Sequence, residues 1–235
     1  MKPVLTPRLL AVAALVPQGA KLADIGTDHA YLPAWLLRTG TIPRAIASDL
    51  REGPLSRARE TARQYGVEDQ MEFRLCNGLS DISPEEADTI VIAGMGGETI
   101  ASILDCAPWT KVGETLLLLQ PMSSQEDLRR WLQQNHYHIL REDIVREGST
   151  LYTIMSVRGG EMPPLTEAEY LVGINTPDSW NRGAYLEQHM HRLRRRIEGM
   201  KRSSDELNLK KCETLETLYT ELIKMRQEWE QWQKP

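Results

Sequence analysis

The chain reads as an α/β protein, a parallel sheet covered by helices on both faces and followed by a helical hairpin. Three observations predict this. From Lys21 to about Arg158, short β-rich runs alternate with helical patterns. Two of those runs, Thr-Ile-Val-Ile-Ala (89–93) and Thr-Leu-Leu-Leu-Leu (115–119), are continuously apolar, the pattern of strands buried on both faces. Beyond Pro164 the alternation stops, and apolar residues recur at spacings of three and four.

Taken in order, Thr6-Pro7 supplies a helix cap followed by proline at the first helical position. The apolar run 9–16 behind Lys2 and Arg8 is short for a secretory segment, and no clean small-x-small cleavage site follows it. A leading helix packed beside the first strand is expected. Strands are expected at 22–26, 45–49, 71–76, 89–94 and 115–120, with helices near 31–38, 54–65, 98–104 and 124–135. The runs 138–145 and 151–157, joined by Arg146-Glu-Gly-Ser149, read as a closing β-hairpin. Arg158-Gly-Gly-Glu-Met-Pro-Pro164 is a linker by composition, so the expected domains are 1–160 and 161–235. In the second, Leu186, Met190, Leu193, Ile197 and Met200 form one heptad-like seam. Leu215, Leu218, Leu222, Met225, Trp229 and Trp232 form another in a shifted phase. Ser203-Ser204-Asp205 between them offers cap chemistry for a new helix, which favours an antiparallel hairpin over one rod. An intermolecular coiled coil is the alternative.

Composition narrows the function classes. With 235 residues, 41% hydrophobic and 26% charged, the chain has the make-up of an ordinary globular protein. A net charge of −5 provides no global basic field, so any RNA contact must come from a local patch. Cys76, Cys106 and Cys212 are scattered, with no Cys-x-x-Cys, which points to a reducing cytoplasm and away from structural zinc. The pairs His136-x-His138 and His189-x-His191 lack further ligands, and on a helix a spacing of two turns the rings to different faces. No metal is expected. No stretch reaches transmembrane length.

The most informative stretch is Lys21-Leu-Ala-Asp-Ile-Gly-Thr-Asp-His-Ala-Tyr-Leu-Pro33, a strand, a glycine turn and a helix start. A dinucleotide loop uses three glycines to seat a pyrophosphate on the helix N-terminus. Here there is one, with Asp28 and His29 where a phosphate would meet repulsion or bulk. That suits a ligand with a cationic, phosphate-free end, of which S-adenosylmethionine (SAM) is the common one. The bland alternative is any strand-to-helix turn. Asp49 closes the second strand, where an acidic residue can accept both hydroxyls of a ribose. Asn77-Gly78 closes the third, as a reader of an adenine edge or simply a favoured turn. Ala93-Gly-Met-Gly-Gly97 closes the fourth, where bare backbone approaches a ligand or turns. An Asn/Asp-Pro-Pro-aromatic motif for exocyclic amines is missing there, and no Pro-Cys nucleophile for ring-carbon methylation is present. Five parallel strands and a hairpin whose last strand inserts antiparallel resemble the topology of class I methyltransferases.

Together, residues 24–33, Asn77-Gly-Leu79, 93–97 and Gln120-Pro-Met122 resemble the TrmK family, bacterial SAM-dependent methyltransferases that modify N1 of the adenine at position 22 of tRNA. The resemblance runs through the Rossmann-like region, 1 to about 158, and beyond it is mainly architectural. It implies a cofactor pocket of Gly26, Thr27, Asp28, His29, Asp49, Leu50, Asn77, Gly78, Gly94, Met95 and Gly96, with Asp49 where relatives also carry Glu. Asp28 and His29 are the candidates for facing the target base; the alternative is that they only shape the pocket. The N1 lone pair lies in the ring plane, so no proton need leave first, but the base must be unpaired and unstacked. The tRNA body must offset that cost. Arg192, Arg194, Arg195, Arg196, Lys201 and Arg202, opposed only by Glu198, form a candidate phosphate track, with Arg8 and Arg44 extending a positive rim. The competing reading of the track is a solvated coiled-coil face. The expected partner is tRNA, for a cytoplasmic and monomeric enzyme. Other readings keep SAM with a protein or small-molecule acceptor, or describe a non-catalytic SAM- and RNA-binding protein.

Overall fold

The structure, a computed structural model, describes residues 3–201 and 206–234, the side chains of 206–210 excepted. Its internal contacts divide the chain between Pro163 and Pro164. The first unit runs α1 (Pro7–Ala14), β1 (Lys21–Ile25), α2 (Tyr31–Arg38), β2 (Arg44–Asp49), α3 (Glu52–Tyr65), β3 (Met71–Leu75) and β4 (Thr89–Gly96). It continues through α4 (Gly97–Asp105), β5 (Leu116–Ser123), α5 (Gln125–Gln134), β6 (Tyr137–Glu147) and β7 (Thr150–Gly159). One seven-stranded sheet has the order β3-β2-β1-β4-β5-β7-β6. Strands β1 to β5 are parallel, and β7 enters antiparallel between β5 and β6.

The apolar runs explain the centre of this sheet. Ile90, Val91 and Ile92 of β4 and Leu117, Leu118 and Leu119 of β5 are all fully buried. Strands sandwiched between two helical layers have no solvent face on which to alternate. The chain crosses from the β1-β2-β3 half to the β4-β5 half between adjacent strands β1 and β4, and in such sheets ligands settle at the carboxyl ends of the strands at that point.

Two expectations change at the edges. Thr6 does cap α1, its Oγ1 accepting from Leu9 N at 3.4 Å. The helix, however, packs on β6, β7 and α2 instead of lying beside the first strand, and Arg8 N donates to Glu147 Oε2 at 3.0 Å. Strand β4 also continues past Gly94 to Gly96, with register irregularities around Met95, and passes straight into α4. The glycines there make a bulged strand end, not a turn. A fully buried ion pair fastens α5 to β6, Arg129 Nη2 lying 2.8 Å from Glu142 Oε2.

The second unit holds α6 (Glu167–Val172), α7 (Arg182–Met200) and α8 (Glu206–Trp232). Helix α6 was not expected from the sequence. It starts with a capping box in which Thr166 Oγ1 accepts from Glu169 N at 3.2 Å and Glu169 Oε2 accepts from Thr166 N at 2.8 Å. Cross-helix contacts of Glu187 with Arg226, Arg194 with Tyr219 and Lys201 with Glu216 make α7 and α8 antiparallel. Leu186, Leu193, Ile197 and Leu222 bury in the seam, joined by Cys212, whereas Trp232 is exposed. The anticipated cap Ser203-Ser204-Asp205 and Arg202 lie outside the described residues. Among the described residues, no helix is long and apolar enough to cross a membrane.

Candidate active site

At the carboxyl edge of the sheet, β1 ends in Asp24 and Ile25 and the chain turns at Gly26. Gly26 has φ +70°, a left-handed conformation costly for other residues, and a Cβ there would collide with the methyl group of Met95. The turn differs from a phosphate loop in where its amides go. Gly26 N and Thr27 N both donate to Ser48 O of β2, at 2.8 and 2.9 Å, so neither faces a ligand. Thr27, expected in the pocket lining, is 4% exposed. Its Oγ1 accepts from Ala30 N at 3.1 Å, and its side chain hydrogen-bonds Asp24.

Asp24 is a candidate that the motif reading passed over. It is buried, and loss of hydration pushes its carboxyl up to about 6, the Thr27 hydrogen bond only partly offsetting that. A buried carboxyl poised in that range ionises readily beside a cation. The signal was present in the sequence, an acidic residue at a strand end two positions before the glycine, but its burial depends on the packed sheet. Asp28, by contrast, is largely exposed and is engaged by Arg57 of α3, whose guanidinium holds the carboxyl below its ordinary range. That makes Asp28 a weak proton acceptor and a fixed negative charge. His29 Nε2 lies 3.6 Å from Asp28 Oδ2.

On the β2 side, Asp49 is 9% exposed, and its Oδ1 accepts from Arg51 N at 2.9 Å. Next to it Leu50 leaves 65% of its surface bare, as Leu75 at the end of β3 leaves 57%. Asp49 O accepts from Cys76 N at 3.0 Å, which sets Asn77 and Gly78 beside the same strand end. Gly78 has φ +59°, and Ile103 of α4 lies 2.9 Å from where its Cβ would be, so this glycine has a packing reason of its own. Asp24, Asp49 and the two exposed leucines thus combine two buried carboxyls at neighbouring strand ends with an apolar surface. A ligand with a cation, a ribose and a flat apolar end fits that set, while one needing amides for a pyrophosphate does not.

On the β4-β5 side, the fully buried Gln120 accepts through Oε1 from Gly94 N at 3.1 Å and from Arg8 Nη1 at 2.5 Å. Arg8 also lies 5.6 Å from the Tyr152 ring centroid. Arg8 therefore belongs to the sheet edge beside the bulged glycine strand, and its partner sits 112 residues away in the chain. Arg44 opens β2 at the opposite edge of the sheet and does not extend a rim here. A cavity of about 580 Å³ lies at that opposite edge, between Lys21, Arg44, Met71 and Glu86, away from the glycine turn and the strand ends that carry the candidate site.

In the second unit, Arg192, Arg195 and Arg196 of α7 are exposed. The expectation that only Glu198 opposes the α7 cations is corrected by the hairpin. Glu216 of α8 pairs with Lys201 at 2.5 Å, and Tyr219 takes a hydrogen bond from Arg194. Among the described residues, no group of three or more His, Cys, Asp or Glu side chains is placed to hold a metal ion.

Comparison with known proteins identifies the family. A family model for a methyltransferase domain matches residues 5–155. The tRNA (adenine(22)-N(1))-methyltransferase of Bacillus subtilis is 36% identical over 157 residues, 67% of this chain and 66% of that protein. The crystal structure of B. subtilis TrmK, an M1A22 tRNA methyltransferase, superposes with TM-score 0.84 at 29% identity, covering 96% of this chain and 100% of that one. A putative tRNA (m1A22) methyltransferase of Streptococcus pneumoniae, in complex with S-adenosyl-L-methionine, matches at 31% identity and TM-score 0.79 over 95% of this chain and 100% of that one. A Rossmann-like sheet with an acidic single-glycine turn, a methyltransferase-domain match across it and end-to-end likeness to these structures place the chain in the TrmK family of methyltransferases.

Proposed function

We propose that this protein transfers a methyl group from SAM to N1 of the adenine at position 22 of tRNA, in the cytoplasm and as a single chain. The observation that carries the cofactor assignment is the pairing of two buried carboxyls, Asp24 and Asp49, at the ends of adjacent strands with a glycine turn whose amides are already spent on Ser48. Asp24 meets the cationic end, Asp49 the ribose, and Leu50 with Asn77 and Gly78 the adenine. Gly26, Gly94, Met95 and Gly96 form the wall between them. The three cysteines are free, as suits a reducing compartment.

SAM, when bound, supplies an electrophilic methyl group. The protein's part is positioning, and holding two reactants in line can supply about 7–11 kcal/mol of the barrier. Adenine N1 becomes positive as it is methylated. The Asp28 carboxylate, kept ionised by Arg57, is a fixed negative charge at the edge where that happens. It need not move a proton, because the nucleophile is a lone pair. Arg8, which Gln120 holds at this sheet edge, meets a phosphate next to the extruded base in this reading. Arg192, Arg195 and Arg196, with a lesser share from Arg194 and Lys201, are the track for the tRNA body.

The test is methyl transfer from labelled SAM to unmethylated tRNA transcripts, with the product nucleoside identified by mass spectrometry. N1-methyladenosine is expected, and it should vanish when the adenine at position 22 is replaced. SAM binding with no incorporation into any tRNA would overturn the acceptor.

A further inference from the structure

The residue that follows the cofactor turn has an arrangement that SAM binding leaves unexplained. Ala30 takes φ 53° and ψ 28°, the left-handed region, although it carries a Cβ. Such a residue costs about 1 kcal/mol or more and persists only where its surroundings hold it. Here Thr27 Oγ1 holds it, accepting from Ala30 N at 3.1 Å, and the Thr27 side chain is in turn bonded to buried Asp24. The effect of the kink is to bring the side chains on either side of Ala30 together. The rings of His29 and Tyr31 stack with centroids 5.1 Å apart and planes within 8°. His29 is further steadied by Asp28, itself fixed by Arg57. Tyr31 nevertheless keeps 40% of its surface exposed, at the carboxyl edge of the sheet where β1 hands over to α2.

An oriented, partly exposed ring stacked on a parallel ring is a platform for one more planar group. Nucleobases taken out of a stack lose the stacking energy of their neighbours, and enzymes that act on them restore it with aromatic side chains. From this geometry we infer that Tyr31 is a positioning residue for the acceptor, and that the extruded adenine extends the His29–Tyr31 stack. The inference rests on the tRNA reading given above and deepens it. Asp24, Thr27 and Ala30 then link the two halves of the site, since the Thr27 side chain hydrogen-bonded to Asp24 also holds Ala30 and so sets the angle of the base platform.

The experiment compares the native protein with Tyr31→Leu, Tyr31→Phe and Tyr31→Trp. Tyr31→Leu should lower kcat/KM for tRNA about 10- to 100-fold, the range of one lost base–aromatic stack. SAM affinity by calorimetry and the melting temperature should stay unchanged. Tyr31→Phe and Tyr31→Trp keep a ring and should stay within about threefold of native, well inside one stack's worth. A tRNA with 2-aminopurine at position 22 supplies the direct readout. Its fluorescence should be quenched on saturation with the native, Phe and Trp proteins and remain bright with Leu. The platform is overturned if Tyr31→Leu retains native kcat/KM, if quenching is the same in all four proteins, or if SAM affinity falls by the same factor as turnover. If Tyr31→Leu fails to fold, loss of activity and quenching in Tyr31→Phe overturns it equally. A native protein that methylates no tRNA removes both readings, whereas native methylation with an unimpaired Leu variant removes only this one.

Discussion

The two units of this chain encode their work in opposite ways. In the first, single residues occupy positions that no neighbour can take over: Gly26 against Met95, Asp24 under the turn, Gln120 receiving two donors, Arg129 paired with Glu142 in the core. In the second, the same kind of residue recurs turn after turn, with leucines along a seam and arginines along a face. Reaction geometry requires the former, because a methyl group and a lone pair must be aligned. The proposed grip on a long polyanion would tolerate the latter, because phosphates repeat too.

The largest difference should appear in stability. Glu142→Ala leaves the Arg129 charge buried without its carboxylate, which costs about 3–5 kcal/mol. Glu187→Ala removes the corresponding α7–α8 pair with Arg226, which is solvent-exposed on the Glu187 side, and should cost less than about 1 kcal/mol. Chemical denaturation of both variants checks this. Equal losses would mean that the contrast between singular and repeated residues does not extend to stability.

Asp24 sharpens the comparison because its two effects have opposite signs. A carboxyl raised to about 6 in the folded protein holds its proton more tightly there than in the unfolded chain. Its contribution is therefore most favourable below about 4, declines as pH rises, and becomes a constant penalty above about 6, of up to roughly 3 kcal/mol. Asp24→Asn should thus stabilise the free protein at pH 7 while weakening SAM binding. In the native protein SAM affinity should drop about tenfold between pH 7 and pH 5 as the carboxyl takes up its proton. Calorimetry at the two pH values, on both proteins, decides the matter. A variant that is less stable than native at pH 7 would sink the assignment of Asp24 as a strained functional acid.

Asp49→Ala comes next, with an expected 10- to 100-fold loss of SAM affinity for a missing charged hydrogen-bond acceptor and no change in tRNA affinity. If tRNA binding fell and SAM binding held, the ribose assignment would be wrong.

Much of the first unit could be read before the structure, and the reasons are local. Continuous apolar runs announce strands buried on both faces, and the Thr6-Pro7 cap and the 21–33 turn depend on near neighbours. What escaped depends on distant ones. The amides of Gly26 and Thr27 look available until Ser48 O is seen to take both. Arg8 reads as a surface cation until Gln120 captures it across the sheet edge. Asp24 reads as part of a motif, and only the packed sheet removes its water. Helix α6 is a different kind of miss, since Thr166-x-x-Glu169 is a local signal, but six residues are too few for a periodic pattern to show. The α7 arginines looked uniform because the sequence alone does not set the register of α8 against them.

That register separates the α7 cations into two sets, which makes the smallest effect the most discriminating. Arg192, Arg195 and Arg196 are exposed, whereas Lys201 is held by Glu216 and Arg194 by Tyr219. Each phosphate contact adds about 0.7–0.9 to the slope of log affinity against log salt. Replacing the exposed three with Ala should flatten that slope by about 2–3 and weaken tRNA binding at low salt, leaving SAM affinity alone. Replacing Arg194 and Lys201 should flatten it by less than about 1, because those cations already have partners. Filter binding across a salt series measures both. If the two sets contribute equally, the intramolecular pairs yield to phosphate and the face acts as one undifferentiated track. If neither set moves the slope, the arginines are a solvated coiled-coil face, and the offset for base extrusion must come from the sheet edge around Arg8.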